Sequence, residues 1–462
     1  MTLLQFLRQA RQVHLQFLAG TLSEPPIYVL GNPSADLDSI ISAIVYSYCA
    51  NNRLPTTTSR PHIPLLNLPN IPAGPELYRL RPEFVTALWL STNFPALSLN
   101  ERFDDSSDSA GNVLREHIIT TADFAQNLKD QSIARKLDVD TTLVDWNALP
   151  ERVDGAAGKG SLGGTLSEVT FHAIGCIDHH VNEDFMPNKE ALPTGQPLII
   201  QPGPGSCASL ITNEMNKRGF WTVATSSADD FAQVAKLALA PILIDTSNLT
   251  AEGKVTDVDV QAVEFLRPQP GGDYPWNMEK FYEQILAAKQ NSLDRLTLHE
   301  VLDRDYKEWT ETAKSDQSIT LGFCSSVKPI RWVIEKAGDP QKFLDGVRSF
   351  ATSGGKQLDV VVVMTSFTSS EDQFSRELFI CVVGDNGLAV EGIEKFVAHT
   401  ASHLNLAEWT ALDGTVVDVS EEEIRSTLNG DKGIWRALWV QKDTKASRKQ
   451  VAPLLRDAVS KL

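Results

Sequence analysis

The chain has 462 residues and carries 42 Lys and Arg against 59 Asp and Glu, a formal net charge of −17 at pH 7. This acidic balance argues against a general nucleic-acid or membrane-surface binder, because both would need a positive face. The 42% hydrophobic and 22% charged content is that of a globular chain, and the length predicts two or three domains. No window approaches the run of about 18 apolar residues that a membrane span needs.

The N-terminus and the cysteines bear on location. The first 20 residues contain Arg8 and Arg11, no acid, and apolar residues at helical spacing. An organelle-targeting helix is one interpretation, and a helix that docks on the first domain is the one we favour. The five cysteines are scattered without a Cys-x-x-Cys pair, so neither a disulfide framework nor a thiolate zinc site is expected. We predict a cytoplasmic protein.

The first half of the chain alternates short apolar runs with helical patterns, which predicts an α/β domain with a mainly parallel sheet. The first strand ends in a Gly-Asn-Pro turn, and a helical period follows from Asp38. Several predicted strands end in an acidic or polar residue, where ligands bind in open α/β sheets. The predicted strands are Ile27–Leu30, His62–Leu68, Thr142–Asp145, Ala173–Asp178, Pro197–Ile200 and Pro241–Asp245.

Two stretches of small and polar residues, Asp104–Asn112 and Asp154–Thr165, are predicted to be surface insertions. The second is rich in glycine, but a phosphate-binding loop needs Lys-Ser or Lys-Thr after its last glycine and a strand before it. Lys159 comes too early for that motif, so we expect a flexible loop.

A smaller α+β domain is predicted after the Pro/Gly-rich segment Arg267–Pro275, which gives domains 1–272 and 273–462. We expect the active site between the two domains, which would close about that segment. This second domain mixes a helical segment, Gly392–Leu404, with predicted strands at Ile319–Phe323, Trp332–Ile334, Asp359–Met364 and Leu378–Val383.

Four acidic segments lie at or just after predicted strand ends. They are Asp36-Leu37-Asp38, Asp145, Asp178-His179-His180 and Asp245. Carboxylates with an imidazole suit divalent metals, and two metals about 3.5–4 Å apart are the device of phosphoryl hydrolysis. Each segment alone has a plainer interpretation: Asp36 or Asp38 as a helix cap, and the histidines as a polar cluster.

Together these segments resemble a known family. Gly31–Tyr48 (GNPSADLDSIISAIVYSY), Leu143–Asn147 (LVDWN), Ile177–Asp184 (IDHHVNED) and Pro241–Leu249 (PILIDTSNL) resemble, in order, the four metal-site motifs of the DHH phosphoesterase superfamily. Gly205–Leu210 (GSCASL) is similar to a stretch between the last two motifs. Ala446–Leu455 (ASRKQVAPLL) resembles the Ser-Arg-Lys motif of the second type of DHH-associated domain.

The resemblance implies two divalent cations, Mg²⁺ or Mn²⁺. Asp36 would bind one ion and Asp38 the other, while Asp145 and Asp245 would bridge both. The ligand set implied in this way is Asp36, Asp38, Asp145, His179 and Asp245.

The resemblance also implies the substrate contacts. His180 would face the substrate phosphate, with Asp178 orienting an imidazole behind the ligands. Arg448 and Lys449 would bind phosphate oxygens, where a plainer interpretation of this basic segment is a solvated tail. The family has a further substrate-binding lysine near Lys289 and Arg295, and we favour Arg295. Lys328 and Arg331 are weaker candidates.

Asn32 separates the branches of the family, because family II pyrophosphatases have a metal-binding histidine at this position. The exopolyphosphatase and prune-like branch has asparagine there. As an amide-oxygen ligand, Asn32 should favour Mg²⁺ over Mn²⁺ and loosen the first metal site. The alternative is an Asx-turn before Pro33.

The resemblance is strongest to the fungal-type cytosolic exopolyphosphatases, which implies hydrolysis of terminal phosphate from linear inorganic polyphosphate. The alternatives are an inorganic pyrophosphatase, a prune-like short-chain polyphosphatase or phosphodiesterase, and a catalytically silent phosphate-sensing protein. A single-stranded nucleic-acid exonuclease is less favoured because its Gly-rich His motif is absent from the sequence. We expect a monomer that binds neither nucleic acid nor membranes.

Overall fold

The computed structural model describes residues 1–52, 60–92, 107–131, 136–221, 228–267, 276–294, 296–314, 316–369, 373–412, 419–430 and 434–462. They form two compact units, Met1–Ser292 and Leu293–Leu462. The predicted boundary at 272/273 falls outside the described residues, as do residues 268–275 of the predicted hinge Arg267–Pro275. A site between the domains stays a prediction.

A largely parallel sheet of seven strands forms the first unit, in the order β2-β1-β3-β6-β5-β4, with β7 beside β6. β1, β2, β3, β6 and β7 pair in parallel, and β4 and β5 add an antiparallel edge. This confirms the predicted α/β class. The strands are β1 (Ile27–Leu30), β2 (His62–Leu65), β3 (Leu137–Val144), β4 (Glu151–Arg152), β5 (Lys159–Ser161), β6 (Val169–Asp178) and β7 (Leu198–Ile200).

Helices surround this sheet. The first helix buries Leu3, Phe6, Leu7 and Leu18, so it docks within the first unit, as we favoured. The helices are α1 (Leu3–Leu18), α2 (Leu37–Asn51), α3 (Pro75–Leu80), α4 (Pro82–Thr92), α5 (Ser107–His117), α6 (Thr121–Asp130), α7 (Cys207–Lys217), α8 (Ala228–Asp245), α9 (Asp257–Leu266) and α10 (Met278–Asn291).

The predicted strand Pro241–Asp245 is wrong, because these residues are the last turns of helix α8. Residues 237–244 of this helix are apolar and buried, so this stretch has no polar position that would reveal a helical period. A short apolar run in a fully buried helix has the same pattern as a buried strand. Asp245 therefore ends a helix.

The two predicted insertions also differ from expectation. Within the second, Lys159–Ser161 is strand β5 of a hairpin that pairs with β6. Of the first, residues 107–112 begin helix α5, and Ala110 is buried there. The polar composition hid both elements because each contributes few side chains to the core.

A six-stranded mixed sheet forms the second unit, in the order β12-β13-β11-β10-β9-β8. Within this second sheet, β9–β10 is the only parallel pair among the described strands. The predicted mixed sheet is therefore confirmed. The strands are β8 (Tyr306–Thr312), β9 (Ser318–Ser326), β10 (Val360–Thr368), β11 (Phe374–Val382), β12 (Leu406–Glu408) and β13 (Arg436–Gln441).

Six helices of the described residues accompany this sheet, and buried residues of two of them, Gly387–Thr400 and Arg448–Ser460, pack in one core cluster with the strands. The predicted strand Trp332–Ile334 is wrong, because it lies within a helix that buries only Ile330, Val333 and Ile334. The helices are α11 (Leu298–Asp303), α12 (Ile330–Ala337), α13 (Pro340–Thr352), α14 (Gly387–Thr400), α15 (Glu421–Leu428) and α16 (Arg448–Ser460). Among the described residues, no helix has the length and apolar character to cross a membrane.

Candidate metal centre

The centre lies where the adjacent parallel strands β3 and β6 end. Asp145 directly follows β3, and its backbone N–H donates to Ile177 O at 3.0 Å. His179 and His180 directly follow β6. As a result, Asp145 Oδ1 lies 3.1 Å from His179 Nε2 and 3.7 Å from His180 Nδ1. The sequence correctly placed these residues at one edge of the sheet.

Asp145 has the properties expected of a ligand to a cation. It is buried, and its φ of 54° lies in the left-handed region, which side chains other than glycine adopt rarely. Burial raises the pKa of its carboxyl well above the usual range, and the charge of Asp38 raises it further. Its Oδ1 is buried, and His179 Nε2 lies 3.1 Å from it, a contact that partly opposes the rise in pKa. A bound cation would satisfy this oxygen and favour its ionised form.

His179 is fixed by the loop before helix α7. Its Nδ1 lies 2.9 Å from Pro204 O, and because a carbonyl only accepts hydrogen bonds, Nδ1 carries the proton. Nε2 is therefore the basic nitrogen, and it faces Asp145 Oδ1 and, at 3.9 Å, Asp38 Oδ2. Donor atoms of Asp145, His179 and His180 all lie within 4.8 Å of one another, a mixed oxygen and nitrogen set that suits Mg²⁺, Mn²⁺ or Zn²⁺.

Asp38 lies in the first turn of α2 and meets the N-terminus of helix α7. Its oxygens accept hydrogen bonds from Ser206 Oγ at 2.8 Å, Cys207 N at 2.6 Å and Ala208 N at 3.0 Å. Burial raises the pKa of Asp38, and the neighbouring His179 opposes this effect. The helix N-terminus stabilises the carboxylate and fixes its position beside His179. The GSCASL segment thus positions a predicted ligand.

Asp36 is the N-cap of helix α2, where its side chain accepts a hydrogen bond from Ser39 N at 3.0 Å. The capping interpretation is therefore confirmed for this residue. Its charge nevertheless raises the pKa of Asp38, Asp145 and Asp245. Asp36 is thus near enough to act on the same group of carboxylates.

Asp245, at the end of helix α8, has 30% of its side chain accessible. Desolvation by the surrounding protein raises its pKa to about 7, an effect that Lys289 opposes and that Asp38 and Asp36 reinforce. Lys289 Nζ lies 3.9 Å from Asp245 Oδ1. The structure therefore places Lys289 beside the carboxylates, whereas the favoured Arg295 lies outside the described residues.

Asp178 supports His180 from within the protein. Its Oδ1 lies 2.8 Å from His180 Nδ1, and its Oδ2 accepts a hydrogen bond from Asn147 Nδ2 at 2.5 Å. Burial favours the neutral form, but the hydrogen bonds from His180 and Asn147 outweigh burial and lower the pKa of Asp178 to about 2. The contact required for orienting an imidazole is thus present.

A known domain family matches the C-terminal part of the chain. Residues 283–458 match the family model of the DHHA2 domain. The chain therefore carries a DHHA2 domain, and its first unit holds the four segments that resemble the metal-site motifs of the DHH superfamily. A protein of Schizosaccharomyces pombe, described as a "putative exopolyphosphatase", is 29% identical over 469 residues, which cover 100% of this chain and 99% of that protein.

One solved structure shares the fold of this chain. A "putative family II inorganic pyrophosphatase" from Methanococcus jannaschii superposes with a TM-score of 0.50 at 18% identity, covering 93% of this chain and 98% of that one. An exopolyphosphatase-related protein from Bacteroides fragilis gives a TM-score of 0.36 at 12% identity, covering 97% of this chain and 96% of that one. The first of these supports the α/β fold of this chain.

In the DHHA2 domain, Arg448 and Lys449 form the first turn of helix α16, with Ser447 as its cap. This helix buries Val451, Ala452, Leu455 and Val459, so the basic segment is not a solvated tail. Arg448 donates to Asp305 Oδ1 and Asp305 O, both at 2.8 Å, and to Ser325 Oγ at 3.1 Å. Lys449 is exposed. Arg448 is therefore held in a fixed orientation.

Asn32 departs from its predicted role as an amide-oxygen ligand. Its Oδ1 accepts hydrogen bonds from Ser34 N at 2.9 Å and Ser34 Oγ at 2.5 Å, which is the Asx-turn alternative. Its Nδ2 donates to Asp145 Oδ2 at 2.6 Å. The group that Asn32 presents to the carboxylates is thus a donor, so we interpret it as a residue that tunes Asp145.

Sequence reasoning missed two supporting residues. Asn147 was quoted only as part of a motif, although it contacts Asp178 directly. Arg81 is buried, and its Nε donates to Ala35 O at 2.8 Å, which supports the loop before Asp36. A charged residue among apolar ones was the available signal for Arg81, and for Asn147 it was the place of this residue in the LVDWN segment.

Proposed function

We propose that this DHH protein is a metal-dependent hydrolase of phosphoanhydride bonds, and specifically an exopolyphosphatase that releases terminal phosphate from linear inorganic polyphosphate. The observation that carries the proposal is the convergence of Asp145, His179 and His180 beside Asp38. The full-length similarity to the Schizosaccharomyces pombe protein supports the choice of substrate class.

Asp36, Asp38, Asp145, His179 and Asp245 would hold two divalent cations. When bound, these ions supply Lewis-acid activation of the attacking water and neutralise phosphate charge. Asp145 and Asp245 remain the proposed bridging ligands. Burial is the main cause of their raised pKa values, and the charges of Asp38 and Asp36 add to it. A bound cation would oppose both effects and favour the ionised carboxylates.

His180 is proposed to contact the substrate. The ionised Asp178 beside Nδ1 favours the imidazolium form of His180. In that form Nδ1–H can stay on Asp178 while Nε2–H donates to a phosphate oxygen. In the DHHA2 domain, Arg448 and Lys449 are proposed to bind further phosphate oxygens, Arg448 as a planar fork and Lys449 as a point charge. Such fixed donors stabilise charge that develops in the transition state.

The test is phosphate release from long-chain polyphosphate, tripolyphosphate and pyrophosphate, each with Mg²⁺ and with Mn²⁺. We expect rapid release from the longer chains and little from pyrophosphate. Asp145→Asn serves as the inactive control, and Asp138→Asn, an exposed residue of strand β3, as the matched active control. Release from pyrophosphate alone would assign the pyrophosphatase alternative.

If the protein binds metal but releases no phosphate from any of the three substrates, a phosphodiester substrate is favoured, as in the prune-like alternative. If the protein neither binds metal nor releases phosphate, the catalytically silent phosphate-sensing protein is favoured. The monomeric state, the cytoplasmic location and the absence of nucleic-acid binding stay predictions.

A further inference from the structure

Asn147 joins the two strand ends that carry the candidate centre. It follows Asp145 by two residues after strand β3, and its side chain reaches the loop after strand β6. Nδ2 donates to Asp178 Oδ2 at 2.5 Å and to Val181 O at 3.0 Å, while Oδ1 accepts from Glu183 N at 2.8 Å. One side chain thus binds both the carboxylate and the backbone of the loop that bears His180.

The two carboxylate oxygens of Asp178 contact different residues, His180 and Asn147. Oδ1 accepts from His180 N at 3.2 Å and contacts His180 Nδ1 at 2.8 Å, while Oδ2 belongs to Asn147. Asn147 is 1% exposed and Asp178 is 0% exposed, so water has little access to replace either contact. The orientation of His180 therefore depends on a carboxylate that Asn147 holds.

We propose that Asn147 is a positioning residue for His180, acting through Asp178 and the backbone of residues 181–183. The consequence for catalysis rests on the proposed function, because His180 is the proposed substrate contact. Partners that hold and orient functional side chains of metal sites are commonly worth 10–100-fold in activity or metal affinity.

The polarity of the amide is the reason that asparagine is required. Its donor end faces a carboxylate and a carbonyl, and its acceptor end faces an N–H group. Aspartate has the same shape but would place a second acceptor against Asp178 and Val181 O. In a buried site, two such unpaired acceptors are strongly unfavourable. Asn147→Asp should therefore turn Asp178 away from Asn147 and release His180.

The experiment compares Asn147→Asp with Asn182→Asp, which makes the same change at an exposed position of the same loop. With tripolyphosphate and saturating Mg²⁺, we expect Asn147→Asp to lower kcat by roughly 10–100-fold. KM and bound metal should change little, because the metal ligands and the DHHA2 residues are untouched. Asn182→Asp should match the parent.

A second readout does not depend on turnover. In protein labelled with ¹⁵N-histidine, the Nδ1–H of His180, assigned with His180→Gln, should give a downfield proton resonance that Asn147→Asp removes and Asn182→Asp keeps. If the parent releases no phosphate from any substrate, the proposed function fails, and this resonance alone decides the positioning role.

Asn147→Ala is the second variant, because it removes the three hydrogen bonds without adding a charge, and it replaces Asn147→Asp if that protein does not fold. Unchanged kcat together with an unchanged His180 resonance in a folded variant would overturn the proposal. A loss of metal or a large rise in KM at unchanged kcat would also overturn it, since either would assign Asn147 to another role.

Discussion

Asn32 Nδ2 donates a hydrogen bond to Asp145 Oδ2 at 2.6 Å, while the buried Asp145 Oδ1 lies 3.1 Å from His179 Nε2. One oxygen of this carboxylate is therefore fixed by the protein, and the other is turned to His179 and His180. This division is what a cation ligand needs: a fixed orientation with one strongly basic atom exposed to the site.

Asp145→Asn should stabilise the metal-free protein and abolish its response to metal. An amide removes the desolvation penalty of the buried carboxylate, and asparagine tolerates the left-handed backbone at this position. We expect the Tm of the metal-free protein to rise by about 2–4 °C, the shift that about 1 kcal/mol gives in units of this size. The Tm increase caused by Mg²⁺ or Mn²⁺ in the parent should disappear.

Thermal unfolding with and without metal checks this prediction. Asp138→Asn is the control, because Asp138 lies on the same strand with 69% of its side chain exposed. A variant that keeps two bound metals and the full metal-induced Tm increase would contradict the bridging role of Asp145.

Arg448→Ala should reduce kcat/KM strongly without unfolding the protein. Three hydrogen bonds hold its guanidinium against Asp305 and Ser325, so the fork is preorganised, and loss of one preorganised donor commonly lowers turnover by about 10²–10³-fold. The control is Arg456→Ala, on the same helix and paired with Glu311. Phosphate release and Tm are measured for both, and unchanged turnover on every phosphate substrate would remove Arg448 from the proposed site.

Acid should destabilise the first unit through His14. This residue is fully buried between Tyr28 and Asn127, and burial, with Arg11 nearby, lowers its pKa to about 3. In the unfolded chain a histidine titrates near 6.5, so between these values only the unfolded state binds the proton. Stability is therefore lost as pH falls through this window, by about 1.4 kcal/mol per unit.

The measurement is urea unfolding at pH 6.5 and 5.5 for the parent, His14→Gln and the exposed control His403→Gln. The decrease in the free energy of unfolding between pH 6.5 and pH 5.5 should be smaller in His14→Gln than in the parent by about 1 kcal/mol. The buried carboxylates with raised pKa values change the free energy of unfolding in the opposite direction, and they do so in all three proteins. The difference between His14→Gln and the other two proteins therefore isolates the contribution of His14. Equal losses would show that His14 does not contribute.

Much of the metal centre could be predicted from the sequence because parallel strands bring their ends to one edge. The segments after β1, β3 and β6 supplied Asp38, Asp145 and His179, and each lies where the pattern placed it. Asp245 was identified correctly as a neighbouring carboxylate but on the wrong element, since the buried, apolar last turns of α8 have no polar position to reveal a helical period.

The rest depends on contacts that no local pattern encodes. The amide of Asn32 is oriented by Ser34, so its donor rather than its oxygen faces Asp145. The proximity of Lys289 to Asp245 requires α10 to pack against α8, a pairing between segments that the sequence leaves unrelated. Asn147 acquires its role only when the loops after β3 and β6 meet.

Lys289→Met should shift metal binding to higher pH. The pKa of Asp245 is raised to about 7, and the Lys289 ammonium at 3.9 Å limits that rise. Without this charge the pKa of Asp245 moves further up, so a larger fraction of the carboxyl is protonated at neutral pH. Because a carboxyl must lose its proton to bind a cation, the variant should bind metal more weakly at pH 7 and recover at higher pH.

Calorimetric titration with Mn²⁺ between pH 6 and 9 measures this shift. Lys280→Met, an exposed position on the same helix, is the control and should follow the parent. The alternative is that the positive charge of Lys289 repels the incoming cation. Removing that charge would then strengthen metal binding at every pH. Tighter Mn²⁺ binding by Lys289→Met at pH 7 would therefore show that repulsion, rather than the protonation of Asp245, is the dominant contribution of this lysine.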